Sequence, residues 1–297
     1  MTANPLLKKL GYADDDRVVI FHADDVGMCQ ASVEVFRDLV GFGLLSSGAT
    51  MVPCSWFPAV AAFCREQPTV DLGVHLTLTS EWDTYRWGPI STGDTSSGMM
   101  DEEGYFYRTS DEAKEHGDPA AVQVEIETQI ERALAAGVDV THIDGHMGAI
   151  LHPKYLSFYL QAAAGRQIPA MFFRWGEARL RERVKDEATI KMVLEMVKTL
   201  EAQEALLVDN LVGMPLHEVA DDRIEQAKAK IAELPPGLTH FVMHPAKDTP
   251  ELRAIAPDWR GRVGDYEAFC SEALGDFVRQ EGIQVIGYRV LRDLLRG

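Results

Sequence analysis

Hydrophobic and polar positions fall into blocks whose period switches between extended and helical. Val18, Val19, Ile20 and Phe21 run through His22 and Ala23 into Asp24 and Asp25. An apolar run ending on polar residues predicts a buried strand over Arg17 to Asp25 that reaches its carboxyl end there. Ala31, Val35, Phe36, Leu39 and Val40 then recur close to a 3.6 period, predicting a helix over Gln30 to Val40. Ser47 to Val52 reads as a second strand, Phe57 to Arg65 as a second helix, and Val70 to Thr79 as a third strand. Asp118-Pro119 opens another helix, with Asp as cap and Pro in the first turn. It runs to Ala136 and stops at Gly137.

The second half keeps the rhythm. "VDVTHIDGH" is a fourth strand, and a helix follows Pro153. "IPAMFFRW" is a fifth strand with a long charged helix after it; "ALLVDNLVGM", "LTHFVMHP" and "IQVIGY" are the sixth to eighth. Strands alternating with helices predict an α/β fold, a parallel (β/α) TIM-like barrel in one domain over 1–297. An open doubly wound sheet is the runner-up, but "ADDVGMCQ" after the first strand lacks the GxGxxG of a dinucleotide site. Two insertions interrupt the rhythm, at about 82–117 and 248–264, and both leave from the carboxyl ends of strands. The first carries Trp82, Tyr85, Trp87, Tyr105, Phe106 and Tyr107. Such aromatics are suited either to stack on a sugar ring or to pack the loop itself.

Composition then removes function classes. Across 297 residues, 29 Lys and Arg stand against 46 Asp and Glu, a net charge of −17. That argues against general binding to nucleic-acid phosphates or anionic membranes. No segment approaches the ~18 consecutive apolar residues of a membrane span. Cys29, Cys54, Cys64 and Cys270 are scattered, with no CxxC pair and no disulfide framework. The amino terminus lacks the apolar core of a signal peptide, so a reducing cytoplasm is the expected location.

The strand ends hold the candidate chemistry: Asp24 and Asp25 on the first, His75 on the third, His142, Asp144 and His146 on the fourth, Arg174 on the fifth, and His240 and His244 on the seventh. A lone buried His is more often a satisfied core residue than a ligand, but barrel closure would gather these ends. Two imidazoles and one carboxylate suffice for a divalent cation with an open position, which supplies hydroxide near neutral pH. A second carboxylate beside the ligand can act as general base. If the strand stays extended, the side chains of Asp24 and Asp25 diverge and divide these tasks. The competing reading is a helix cap and a solvated neighbour. His22 shares the face of Asp24, and His240 lies deep enough to be structural.

"FHADDVG", "GVHLTLT", "THIDGHMG" and "VMHPA" together resemble the YdjC/ChbG-type carbohydrate deacetylases, distant relatives of the NodB-type polysaccharide deacetylases. The resemblance runs from about residue 17 to residue 288. It implies a distorted barrel of seven to eight parallel strands and a metal-dependent hydrolase that removes acetyl from an N-acetylated sugar. On this resemblance Asp25, His75 and His146 are the metal ligands, Asp24 is the base, His244 is the acid and Arg174 orients or tunes Asp24. Glu81, Trp82, Trp87 and Met147 are the expected substrate contacts. The chain departs from the family's DSHxHxH pattern, reading "DGHMGAILHP"; this leaves His146 as the close ligand there, with His152 next along.

One Zn²⁺ or Mg²⁺ per chain is expected, with a small carbohydrate as substrate, no nucleic acid or membrane partner, and a homodimer slightly favoured by base rate. The competing functions are another metallohydrolase on the same barrel, such as an amidohydrolase or phosphoesterase, and a non-catalytic sugar-binding barrel.

Overall fold

The computed structural model describes residues 4–203, 205–217 and 222–297. Seven parallel strands are β1 (Arg17–Val26), β2 (Ser47–Thr50), β3 (Leu72–Leu76), β4 (Val140–Gly145), β5 (Asn210–Gly213), β6 (Gly237–Met243) and β7 (Gln284–Val285). Their order is β4-β3-β2-β1-β6-β5, with β7 against β1. The remaining gap is bridged by 169–174: Met171 N–H donates to Ile143 O, Val208 N–H to Phe172 O and Arg174 N–H to Val208 O. The sheet therefore curls round into a distorted barrel, with β1 wholly buried from Val18 to Ala23.

The distortion has local causes. The expected fifth strand forms only isolated bridges at Ala170 and Phe173; Pro169, at its start, has no N–H to give to a ladder. The expected eighth strand shrinks to two residues, because β7 pairs only with Val18 and Val19. From His22 onward β1 pairs with β2 instead.

The helices expected over Gln30 to Val40, over Phe57 to Arg65 and from Asp118-Pro119 to Ala136 form as Gln30–Phe42, Phe57–Glu66 and Pro119–Ala135. The 248–264 insertion is not an irregular loop. It folds as the helix Pro250–Ile255, capped by Thr249, and the first turns of the helix Trp259–Phe269. The 82–117 insertion is pinned by Glu125, which is fully buried and accepts from the N–H groups of Ile90 and Ser91. Among the described residues no helix is long and apolar enough to cross a membrane.

Candidate functional site

The site begins with a break in β1. Asp25 has φ +59°, in the left-handed region, and the register with β2 shifts between Ala23 and Val26. The strand does not stay extended through the Asp pair, contrary to the reading from sequence. A non-glycine residue held at positive φ is strained, and a bulge re-aims its side chain. Gly27 follows at φ +86°; a Cβ there would come within 2.9 Å of Val60, so only glycine completes the turn.

Asp25 is buried beneath the two imidazoles. Its Oδ1 faces His146 Nδ1 at 3.1 Å and His75 Nε2 at 3.5 Å, yet has no satisfactory hydrogen-bond donor. The far side of each ring explains why. His75 Nδ1 meets Asp144 Oδ1 at 2.8 Å, and His146 Nε2 meets Glu81 Oε2 at 3.0 Å. A carboxylate only accepts, so it draws the ring proton to that side. In the neutral rings, His75 Nε2 and His146 Nδ1 then present lone pairs toward Asp25 Oδ1. Three acceptors converging in a buried space fit a cation.

Without a cation the rings must take up protons. Burial pushes His146 down, but Glu81 and Asp25 outweigh it and lift the ring to about 9. Burial likewise opposes, and Asp144 and Asp24 overcome, to raise His75. Asp25 goes the other way: burial would raise it, but the Arg262 guanidinium and His146 hold it well below the usual carboxylate range.

A second group, His22, Asp24, Asp144 and His240, also lies close enough to share an ion, but each member already has a side-chain atom engaged in a hydrogen bond. His22 Nδ1 meets Asp24 Oδ1 at 2.7 Å, His22 Nε2 meets His142 Nε2 at 2.9 Å, and His240 Nδ1 meets the Tyr288 hydroxyl at 2.8 Å. None of its atoms is a buried orphan. Hydrogen bonds account for this group without a metal.

Asp24 Oδ2 stands 3.8 Å from His75 Nε2 and 3.8 Å from His244 Nε2. His244 follows β6, and its N–H donates to Asp265 Oδ2 at 2.9 Å. Its Nδ1 is a second buried atom without a partner.

Arg174 is not brought to Asp24. It pairs with Glu201 at 2.8 Å and Asp209 at 2.9 Å. Asp209 accepts from Leu238 N–H, and Leu238 is paired with Val18. Asp24 lies six residues farther along β1, about 20 Å at ~3.3 Å per residue. The arginine that reaches the Asp pair is Arg262, from the 248–264 insertion. It donates to Asp25 Oδ2 at 2.8 Å and is itself held by both oxygens of Asp258. Neither Arg262 nor Asp265 was singled out from sequence; the signal was an Asp-Arg pair four apart, Asp258 and Arg262, within an insertion after a strand bearing candidate chemistry.

The expected substrate contacts divide. Met147 is 48% exposed and, like Gly148, sits at positive φ beside His146. Glu81 is engaged with His146. Trp82 and Trp87 are each 5% exposed; Trp87 Nε1 donates to Thr79 O and the two rings pack edge to face. They pack the insertion and offer no open stacking face. His152, next after His146, caps the helix Pro153–Arg166.

The fold and these donors define a parallel (β/α)-barrel protein with a buried His/Asp centre at the carboxyl ends of its strands. The chain belongs to the YdjC-like protein family, whose model matches residues 18–280. It is 33% identical over 264 residues to a carbohydrate deacetylase of Thermus thermophilus, covering 89% of each chain. It is 24% identical over 278 residues to a carbohydrate deacetylase of Thermoanaerobacter pseudethanolicus, covering 93% of this chain and 100% of that one. A solved structure from Enterococcus faecalis, provisionally assigned to cellobiose-phosphate cleavage, shares the fold with a TM-score of 0.74 at 22% identity. That match covers 93% of this chain and 99% of the other.

Proposed function

We propose that this protein is a metal-dependent N-deacetylase of an amino sugar or short, chitooligosaccharide-like oligosaccharide. The observation that carries the reading is the convergence of Asp25 Oδ1, His75 Nε2 and His146 Nδ1, each backed by its own partner. Family membership and the carbohydrate deacetylases among its relatives supply the substrate class. Two imidazoles and one carboxylate suit Zn²⁺ better than Mg²⁺, which prefers oxygen ligands. The chemistry a bound divalent cation would supply is Lewis acidity toward the acetamide carbonyl and toward a water.

The chain's own residues divide the proton work. Asp24 Oδ1 is engaged by His22, leaving Oδ2 to take the proton of the attacking water. His244 Nε2, 3.8 Å from that oxygen, lies close enough to serve the same reaction centre and gives a proton to the departing amine. The products are acetate and a free amino sugar. Arg262 and Asp265 hold Asp25 and His244 in place from one helix.

The test is acetate release from a panel of N-acetylated mono-, di- and oligosaccharides, with and without chelator. Chelation is expected to abolish release and one divalent cation to restore it. Full turnover in excess chelator, with metal shown absent, overturns the metal dependence; no acetate from any sugar overturns the substrate class.

A further inference from the structure

A buried file of hydrogen bonds leaves Asp24 through Oδ1, while Oδ2 is the oxygen that faces His244. His22 Nδ1 meets Asp24 Oδ1 at 2.7 Å, and His22 Nε2 meets His142 Nε2 at 2.9 Å. His142 Nδ1 meets Thr141 Oγ1 at 3.0 Å, and Thr141 Oγ1 donates to Asp71 Oδ1 at 2.7 Å. His22, His142 and Thr141 have no exposed surface. Asp71 precedes β3, at the amino-terminal end of the barrel, so the file crosses the interior from one end to the other.

The polarity of the file follows from donor and acceptor counts. Asp71 accepts from Ser47, Thr141 and Arg289 N–H, so it is the acceptor end. The single Thr141 proton points to Asp71, so Thr141 oxygen accepts from His142 Nδ1–H. His142 is held neutral, because burial and then the His22 ring drive it well below the ordinary histidine value. Its Nε2 therefore accepts from His22 Nε2–H. His22 is thus fixed at both nitrogens: Nε2–H is committed to His142, and the 2.7 Å contact between Nδ1 and Asp24 Oδ1 is closed by one further proton, beyond the single one of a neutral ring. The packing serves this arrangement. The His142 ring stacks on Tyr288 at 3.9 Å. Gly73 makes room for it, since a Cβ there would lie 2.5 Å from the ring.

We propose that Thr141, His142 and His22 form a positioning chain that sets the orientation and hydrogen-bond polarity of Asp24 from Asp71 at the other end of the barrel. The proposal rests on the reading of Asp24 as the base. Thr141 and His142 touch neither substrate nor the proposed metal ligands; they act through His22.

The test is Thr141→Val, which keeps the side-chain shape and removes the hydroxyl. In the loaded enzyme kcat is expected to fall roughly tenfold, as for a slightly misplaced catalytic group, with KM and metal content unchanged. Thr141→Ser is expected to restore the rate. In the metal-free protein, nitrogen-15 NMR of the histidine rings is expected to show His142 leaving its Nδ1–H tautomer in Thr141→Val and regaining it in Thr141→Ser. Thr141→Ala carries the same readouts if the valine variant folds poorly. A rate within twofold of the parent, or a lower rate with the tautomer unchanged, overturns the chain. Full activity in Asp24→Asn would instead overturn the base reading, which separates the two failures.

Discussion

Arg262 Nη1 donates to Asp25 Oδ2 at 2.8 Å, joining side chains 237 positions apart. The contact occupies one oxygen of Asp25 and leaves the other facing His75 and His146. Arg262 is itself buried between Asp25 and Asp258. Arg262→Met would strand two buried carboxylates, and breaking a buried ion pair from one side costs about 3–5 kcal/mol. We expect a loss of that order in urea unfolding, with reduced metal content. Arg262→Lys should lie between, since an ammonium keeps the charge but not the planar fork. Unchanged stability and metal content in Arg262→Met would refute this account.

The neighbouring aspartates should fail differently. Asp25→Asn is expected to lose most of the metal, because an amide is a poorer ligand than a carboxylate. Asp24→Asn should keep metal and fold and lose roughly 10²- to 10⁴-fold in rate. Metal analysis and kinetics on both variants decide this; an empty site in Asp24→Asn with a loaded one in Asp25→Asn means the roles are exchanged.

Glu81 and Asp144 are expected to act through the rings they hold. Glu81→Ala and Asp144→Ala free the outer nitrogen of His146 and His75 respectively, and the loss of such partners weakens metal binding by roughly 10- to 100-fold. Competition titration with a chromogenic chelator measures it. Parent-like affinity in both variants would show that the carboxylates do not set the tautomers.

Acid should destabilise the fold through its neutral interior rings. Burial and then His22 push His240 down to about 3. The unfolded ring binds a proton below about 6.5 and the folded one not until about 3, so stability falls as pH drops through that window. The slope is up to ~1.4 kcal/mol per pH unit for each such ring. His142 contributes in the same direction. His240→Asn should flatten the pH dependence of the urea midpoint between about 6.5 and 3. An unaltered slope would mean that His240 takes no part.

Trp87 should behave as core. Trp87→Ala is expected to cost about 3–5 kcal/mol in stability and to impair large and minimal substrates alike. A selective loss of oligosaccharide hydrolysis with stability intact would restore a sugar-stacking role.

The architecture was legible along the chain because burial on both faces of a parallel strand leaves an uninterrupted apolar run, as from Val18 to Phe21, and a helix against it leaves a 3.6 period. Those signals are local, and they placed the strand ends that carry Asp24, Asp25, His75, His146 and His244. The fifth strand could not be foreseen as mere bridges, because whether Ala170 and Phe173 find partners depends on β4 and on Val208. The shape of the Asp pair was equally hidden. The positive φ of Asp25 contradicts the local preference of an aspartate in a strand, and surrounding packing imposes it. Arg174 and Arg262 show the same division most sharply. A motif position pointed to Arg174, but its guanidinium is drawn to Glu201 and Asp209 at the far end of the barrel. Arg262 entered the site because a helix formed in an insertion and packed its cation against a buried carboxylate. The sequence by itself determined which residue types stand at the strand ends. Only the tertiary structure decided which charges neutralise one another there, because a buried ion pair is chosen by proximity in space and carries no local signature.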